Sequence, residues 1–189
     1  MDIKSLLGTV MNADSVSGVG KVANVSEESA KNILGAALPG LLSGALAQAE
    51  NSETAAGFAG ALSQHAKDDT SDIGAFLSGV DLTDGGKIVA HLLGGSSGNT
   101  ISQIAQQTGA SKEETSSVLS AAAPLLMSLL GQQADGQQAS GAGVADMMGS
   151  LLGGGNVTGL LGSLLGGADA DGDGKKDKGG LAGILGKLF

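Results

Sequence analysis

The sequence predicts an all-α fold, a multihelical bundle of short glycine-terminated helices that contains an internal duplication. Three observations carry that expectation. Apolar residues recur at helical spacing, and no alternating strand pattern competes with them. The chain repeats itself at an offset of 85 residues. Clusters drawn from its 34 glycines close the apolar runs, as glycine does at helix ends.

The repeat is specific. The shift lays Val16-Ser17-Gly18-Val19 over Ile101-Ser102-Gln103-Ile104, then Ser26 to Ser43 over Ser111 to Ser128. Identical pairs include Ser26/Ser111, Glu28/Glu113, Leu34/Leu119, Ala37/Ala122, Pro39/Pro124, Leu41/Leu126 and Ser43/Ser128, and the chain's only 2 prolines fall on equivalent positions. Each copy reads as a short apolar helix, a turn, and a long helix begun by serine. Ser111 with Glu114 forms a capping box, and Ser26 is an N-cap. Ile33, Leu34, Ala37, Leu38, Leu41 and Leu42 share one face of the first long helix; Val118, Leu119, Ala122, Ala123, Leu126, Met127 and Leu130 share one face of the second. Each proline sits inside its pattern, where its ring meets the carbonyl four residues back and should kink the helix.

Further helices are expected at Asn51–Ala66, Ser71–Val80, Asp84–Leu93, Gln138–Leu152, Asn156–Leu165 and Leu181–Leu188. Gly85-Gly86, Gly94-Gly95-Ser96-Ser97-Gly98, Asp135-Gly136 and Gly153-Gly154-Gly155 separate them as turns or helix ends. Ser-Leu-Leu-Gly begins at Ser5, Ser128, Ser150 and Ser163, which reads as core packing with a helix-stopping glycine rather than a recognition motif. The organisation expected is a duplicated bundle over residues 1–167, with repeat cores at 16–46 and 101–131, followed by an acidic loop and C-terminal helix over 168–189.

Composition narrows the function. With 41% hydrophobic and 15% charged residues the chain can bury a core, and with 3 Phe, no Tyr and no Trp that core is aliphatic. The net charge of −9 comes from 19 acids against 10 basic residues, all lysine. Without arginine, and with its one lysine cluster interleaved with aspartates, the chain is a poor nucleic-acid partner. The absence of Cys removes disulfides, thiolate metal sites and cysteine nucleophiles together. The start, Met1-Asp2-Ile3-Lys4, lacks a signal-peptide pattern, and no apolar run is clean enough to span a bilayer, so a cytoplasmic protein with no transmembrane segment is expected. The charge-free span Met147 to Ala168 reads as two short helices, with a membrane-surface role as the alternative.

Asp169-Ala170-Asp171-Gly172-Asp173-Gly174-Lys175-Lys176-Asp177 resembles the calcium loop of EF-hand and dockerin modules. In such loops oxygen ligands alternate around the ion and a glycine at the sixth position permits the sharp turn. Asp169, Asp171, Asp173 and Asp177 would supply carboxylates and Lys175 its backbone carbonyl. Gly180 stands where the bidentate glutamate belongs, so the expected affinity for Ca²⁺ is weak, ~10⁻⁴ to 10⁻³ M. The alternative is a solvated acidic hinge.

Residues Thr100 to Leu119 resemble a helix-turn-helix, but the second helix opens Ser111-Lys112-Glu113-Glu114 and continues into a core face. Acids presented to phosphate remove the electrostatic attraction that such binding needs, so a plain helical corner is favoured. His65 and His91 are the chain's 2 histidines, and neither has a His or Cys partner at metal spacing. No nucleophile elbow, P-loop or His-Glu-x-x-His pattern occurs, so no enzyme is expected.

Asp84 to Gly95, the corner Ile101 to Gly109, Ala121-Ala122-Ala123-Pro124-Leu125-Leu126-Met127, the Asp169 to Gly174 loop and the closing Leu185-Gly186-Lys187-Leu188-Phe189 together resemble the bacterial YidB-like family, a domain of unknown function. The resemblance covers nearly the whole chain. It implies an all-helical bundle and supplies no activity, substrate or catalytic residue. Lys175-Lys176-Asp177-Lys178 departs from the acidic residues expected after the loop. The function expected is a non-enzymatic helical interaction or assembly protein, with a protein partner or self-association and a weak calcium loop. A peripheral envelope protein using its Leu/Gly-rich helices is the alternative, and a nucleic-acid binder is third.

Overall fold

A computed structural model describes residues 3–136 and 141–153, and among these residues there are helices and no strand. The elements are α1 (Ile3–Val10), α2 (Ala13–Ala23), α3 (Glu27–Glu50), α4 (Ala55–His65), α5 (Ile73–Ser78), α6 (Leu82–Leu93), a short 3-10 turn (Gly94–Ser96), α7 (Ser97–Thr108), α8 (Lys112–Gly136) and α9 (Gly141–Gly153). The all-α expectation is met. The segments expected at Asn156–Leu165 and Leu181–Leu188, and the whole 168–189 region, lie outside the described residues.

Local chemistry accounts for the boundaries. The Asn12 side chain accepts the Ser15 backbone N–H at 2.7 Å to start α2, and the chain leaves that helix through Asn24 at φ 57°. Its counterpart α7 leaves through Gly109 at φ 72°, a left-handed conformation that glycine adopts without a Cβ penalty. Ser26 Oγ accepts the Ser29 N–H at 3.1 Å to open α3. At α8 the expected box closes in both directions: Glu114 N–H donates to Ser111 Oγ at 3.1 Å, and Ser111 N–H donates to Glu114 Oε2 at 2.8 Å. α4 begins four residues later than expected because Asn51 makes its own turn, its side chain accepting the Glu53 N–H at 2.9 Å. Asp72 and Asp81 cap α5 and α6, accepting from the Ala75 and Thr83 N–H groups at 2.9 and 2.7 Å.

Shifted by 85 residues, α2 and α3 coincide with α7 and α8 to within one residue at each end, and α4 with α9 to within three. The packing is crossed. α2 and α4 lie against α8, while α7 and α9 lie against α3, and the two long helices also touch each other. The core is drawn from both: Ile33, Leu34, Leu38 and Leu41 with Leu119, Leu125, Leu126 and Leu130, joined by Leu6, Phe58, Leu62 and Leu77, all 2% exposed or less.

α8 is the most enclosed helix. Val118 to Gly131 is buried with the exception of Pro124. Both α3 and α8 run on through their prolines. Pro124 has no N–H, so the Ser120 carbonyl loses its helical partner. Gly85 at the start of α6 packs directly onto that carbonyl, and a Cβ there would overlap it. Two more crossings work the same way: Gly131 of α8 against the Leu62 carbonyl of α4, and Gly44 of α3 against the Leu92 carbonyl of α6. Part of the glycine excess thus follows from helices that approach backbone to backbone, where Cα–H groups meet carbonyl oxygens.

Candidate functional site

The most convergent polar chemistry among the described residues lies where α4 and α6, both packed on α8, line one cleft. An open cleft of about 240 Å³ is lined there by Phe58, Ala61 and His65 of α4, Lys87, Ile88, His91 and Leu92 of α6, and Met127 of α8. Its floor is apolar, with Phe58, Leu92 and Met127 no more than 4% exposed. Its rim carries both imidazoles and one ammonium. The two histidines are 26 positions apart on different helices, and they reach one cleft because α4 and α6 share α8 as a floor. Nothing local in the sequence signals that meeting.

Behind the rim lies a hydrogen-bonded latch. His65 Nδ1 and Asp68 Oδ2 are 2.8 Å apart, and Ser128 Oγ donates to the same carboxylate oxygen at 2.7 Å. A carboxylate accepts only, so a neutral His65 carries its proton on Nδ1 and keeps the Nε2 lone pair free. Ser128 has one hydroxyl hydrogen, shared between Asp68 and the Pro124 carbonyl at 2.8 Å. Gln132, one turn along α8, donates Nε2 to the Asp68 backbone carbonyl at 2.9 Å and to Thr70 Oγ1 at 3.1 Å. These bonds tie the 66–72 loop to α8.

The latch contains the residue types of a hydrolytic triad without its geometry. A nucleophilic serine needs its hydroxyl on the imidazole, whereas Ser128 bonds the carboxylate and is 0% exposed. Among the described residues no three His, Asp or Glu side chains are placed to share a metal ion. The cleft is an apolar floor edged by groups that can donate or accept hydrogen bonds.

Exposed charges near the helix starts follow the caps. Backbone and side-chain hydrogen bonds from Ser111 hold the Glu114 carboxyl below its usual range, and bonds from Thr83 do the same for Asp81. The Ser71 hydroxyl and backbone lower Asp69. Asp84 accepts from Lys87 Nζ at 2.7 Å and raises that lysine.

Of the residues expected to form a site, Asp169, Asp171, Asp173, Lys175 and Asp177 lie outside the described residues. The helix-turn-helix resemblance falls on α7 and α8, where the would-be recognition helix turns Thr115, Val118 and Leu119 into the core. The polar residues that sequence reasoning missed are Ser128, Gln132 and Thr70. Ser128 and Gln132 look like ordinary helix positions, and their partners lie 60 or more residues away.

A family described as bacterial protein of unknown function (DUF937) matches residues 5–133 and again residues 96–189. No curated protein and no solved structure matches the chain.

Proposed function

We propose, for a chain that belongs to the bacterial family of unknown function DUF937, a non-enzymatic role as a helical interaction or assembly protein. The observation that carries this reading is the latch: the one convergence of His, Asp and Ser among the described residues spends its hydrogen bonds on joining a loop to a buried helix. A partner protein or a second copy is the proposed ligand, and the cleft between α4 and α6 offers apolar area rimmed by polar groups, the usual anatomy of a contact patch. Light scattering coupled to gel filtration tests self-association. The mass is expected to rise above the 18.2 kDa of one chain with concentration, and to fall back when Ile88 is replaced by Asp. A mass fixed at one chain throughout removes the self-association form of the proposal.

The acidic loop is proposed as a weak Ca²⁺ site through Asp169, Asp171, Asp173, the Lys175 carbonyl and Asp177, supported by the spacing of those residues alone. Calorimetric titration with calcium is expected to show saturable heat that vanishes in Asp171→Asn/Asp173→Asn. Absence of heat in the parent chain returns the loop to a solvated hinge.

The peripheral membrane reading has weak support from α3, because the core helix of a soluble protein can share its length and composition. α3 has 24 residues and is long and apolar enough by composition to cross a bilayer. Against it, Ile33, Leu34, Leu38 and Leu41 of that helix are core residues, which a helix entering lipid would have to abandon. Co-sedimentation with anionic and zwitterionic liposomes decides between the two. A nucleic-acid role has no comparable support, and a cytoplasmic location remains the proposal from the sequence.

A further inference from the structure

Both imidazoles of the chain stand at helix ends. His65 closes α4 and His91 lies in the last turn of α6, and both line the cleft described above. The C-terminal end of a helix carries the negative pole of its dipole, so two such ends lining one cleft favour a cation there. The Asp68 carboxylate stands behind His65, and the one ammonium among the lining residues, Lys87, is held by Asp84 at 2.7 Å.

The donors that face this cleft are nitrogen and sulfur. With Nδ1 on Asp68 at 2.8 Å, His65 keeps Nε2 as its free lone pair, the arrangement in which a carboxylate orients a metal-ligating imidazole from behind. His91 is exposed, and among the described residues its ring has no hydrogen-bond partner. Met127, 3% exposed in the floor, adds a thioether from a third helix. The set is thus two imidazoles and a sulfur, a different one from the trio of His, Asp or Glu that is absent among the described residues.

That set discriminates between ions. No Asp or Glu is among the residues lining the cleft. Ca²⁺ and Mg²⁺ require several oxygen ligands, which these side chains do not supply. Thioethers select Cu(I), and imidazole binds copper as well. A single charge also costs less than a double one to bring against apolar walls such as Phe58 and Leu92, where no carboxylate cancels the second charge.

We propose that the cleft lined by α4, α6 and α8 is a binding site for Cu(I), held by His65 Nε2, the His91 imidazole and the Met127 thioether, with Asp68 as the positioning residue for His65. The ion ties the C-terminal ends of α4 and α6 to the buried helix that both pack on. The inference goes beyond the assembly reading above and does not rest on it.

Silver(I), a redox-inert analogue of Cu(I), is the first probe, added to the full chain in chloride-free buffer. Cu(I) itself follows without oxygen, in competition with a chromophoric chelator. The chain has 2 histidines, so its imidazole NMR signals come from these two rings alone. A single equivalent of silver is expected to shift both rings together, His65 at Nε2. A shift in one ring only, or in neither, overturns the proposal. His91→Asn removes an exposed donor and is expected to weaken Cu(I) binding by about tenfold or more with the circular dichroism unchanged, since loss of a supporting partner alone commonly costs that much. Met127→Leu conserves the core volume and is expected to weaken Cu(I) binding similarly and to abolish the preference for silver over Zn²⁺. Unchanged Cu(I) affinity in either variant overturns the site. The chain has 5 methionines, so silver held equally well by His91→Asn belongs to methionines elsewhere and overturns it too. Zn²⁺ bound by the parent as tightly as silver overturns the assignment to a soft monovalent ion.

Discussion

α3 and α8 carry one pattern, a serine cap, an interior proline and paired leucines, and they live in different surroundings. Leu125 and Ser128 of α8 are fully buried, whereas their counterparts on α3 are the half-buried Gly40 and the exposed Ser43. α8 receives α4 and α6 on the side that α3 leaves partly open; Ser128 faces the loop after α4, and Gly131 faces α4 itself. Periodicity therefore decides that both segments are helices with an apolar face. Neighbours brought from distant parts of the chain decide how much of the remaining surface is hidden.

Substitutions at equivalent positions break or sharpen this contrast. Leu125→Ala empties a site with no exposure, and denaturant unfolding is expected to show a loss of about 2–5 kcal/mol. A loss below that range would mean α8 is less enclosed than described. Gly85→Ala drives a methyl group into the Ser120 carbonyl and should cost about 1–3 kcal/mol, since the obstacle is backbone and the helices must separate. Asp68→Ala removes the acceptor shared by His65 and Ser128. The expected loss is about 1 kcal/mol because Ser128 keeps the Pro124 carbonyl, whereas Ser43→Ala on α3 should stay within about 0.5 kcal/mol of the parent. Gly40→Ala runs the other way. Among the described residues a Cβ there meets nothing within 4 Å, so thermal unfolding should show a gain of about 0.5–1 kcal/mol from helix propensity.

The smallest effect separates the two caps by pH. Glu114 closes the α8 box, and its carboxyl is depressed by hydrogen bonds from Ser111. A depressed folded pKa gives stability that is present above the carboxylate's ordinary value and lost as pH falls through the lowered one. The α3 cap, Ser26 with Ser29, has no titratable partner at that position. Glu114→Gln should therefore flatten part of the acid limb of the stability profile, while Ser29→Ala leaves its shape unchanged. Equal shapes for Glu114→Gln and the parent would remove the box from the acid response.

What the sequence made legible was local. Ser26, Ser111 with Glu114, and the proline pair lie within a few residues of the elements they define, so the long helices and the offset between them could be read directly. Boundaries slipped where a side chain chose a turn, as Asn51 does ahead of α4. The cleft was not legible, because His65 and His91 owe their meeting to a third helix. The Asp68 to Ser128 bond joins residues 60 positions apart, and nothing near either residue announces the other.

The crossed packing has a consequence for the order of events during synthesis. α3 needs α7 and α9 as cover, and α4 and α2 need α8, so the first 85 or so residues to leave a ribosome contain no complete core of their own. Contacts between distant positions pay loop closure before they return any burial, which slows the approach to the native state. The two halves are thus expected to complement each other. Fragments divided after Gly94, at the 3-10 turn, should each be unstable alone and fold on being mixed, each lending the other the helix it lacks.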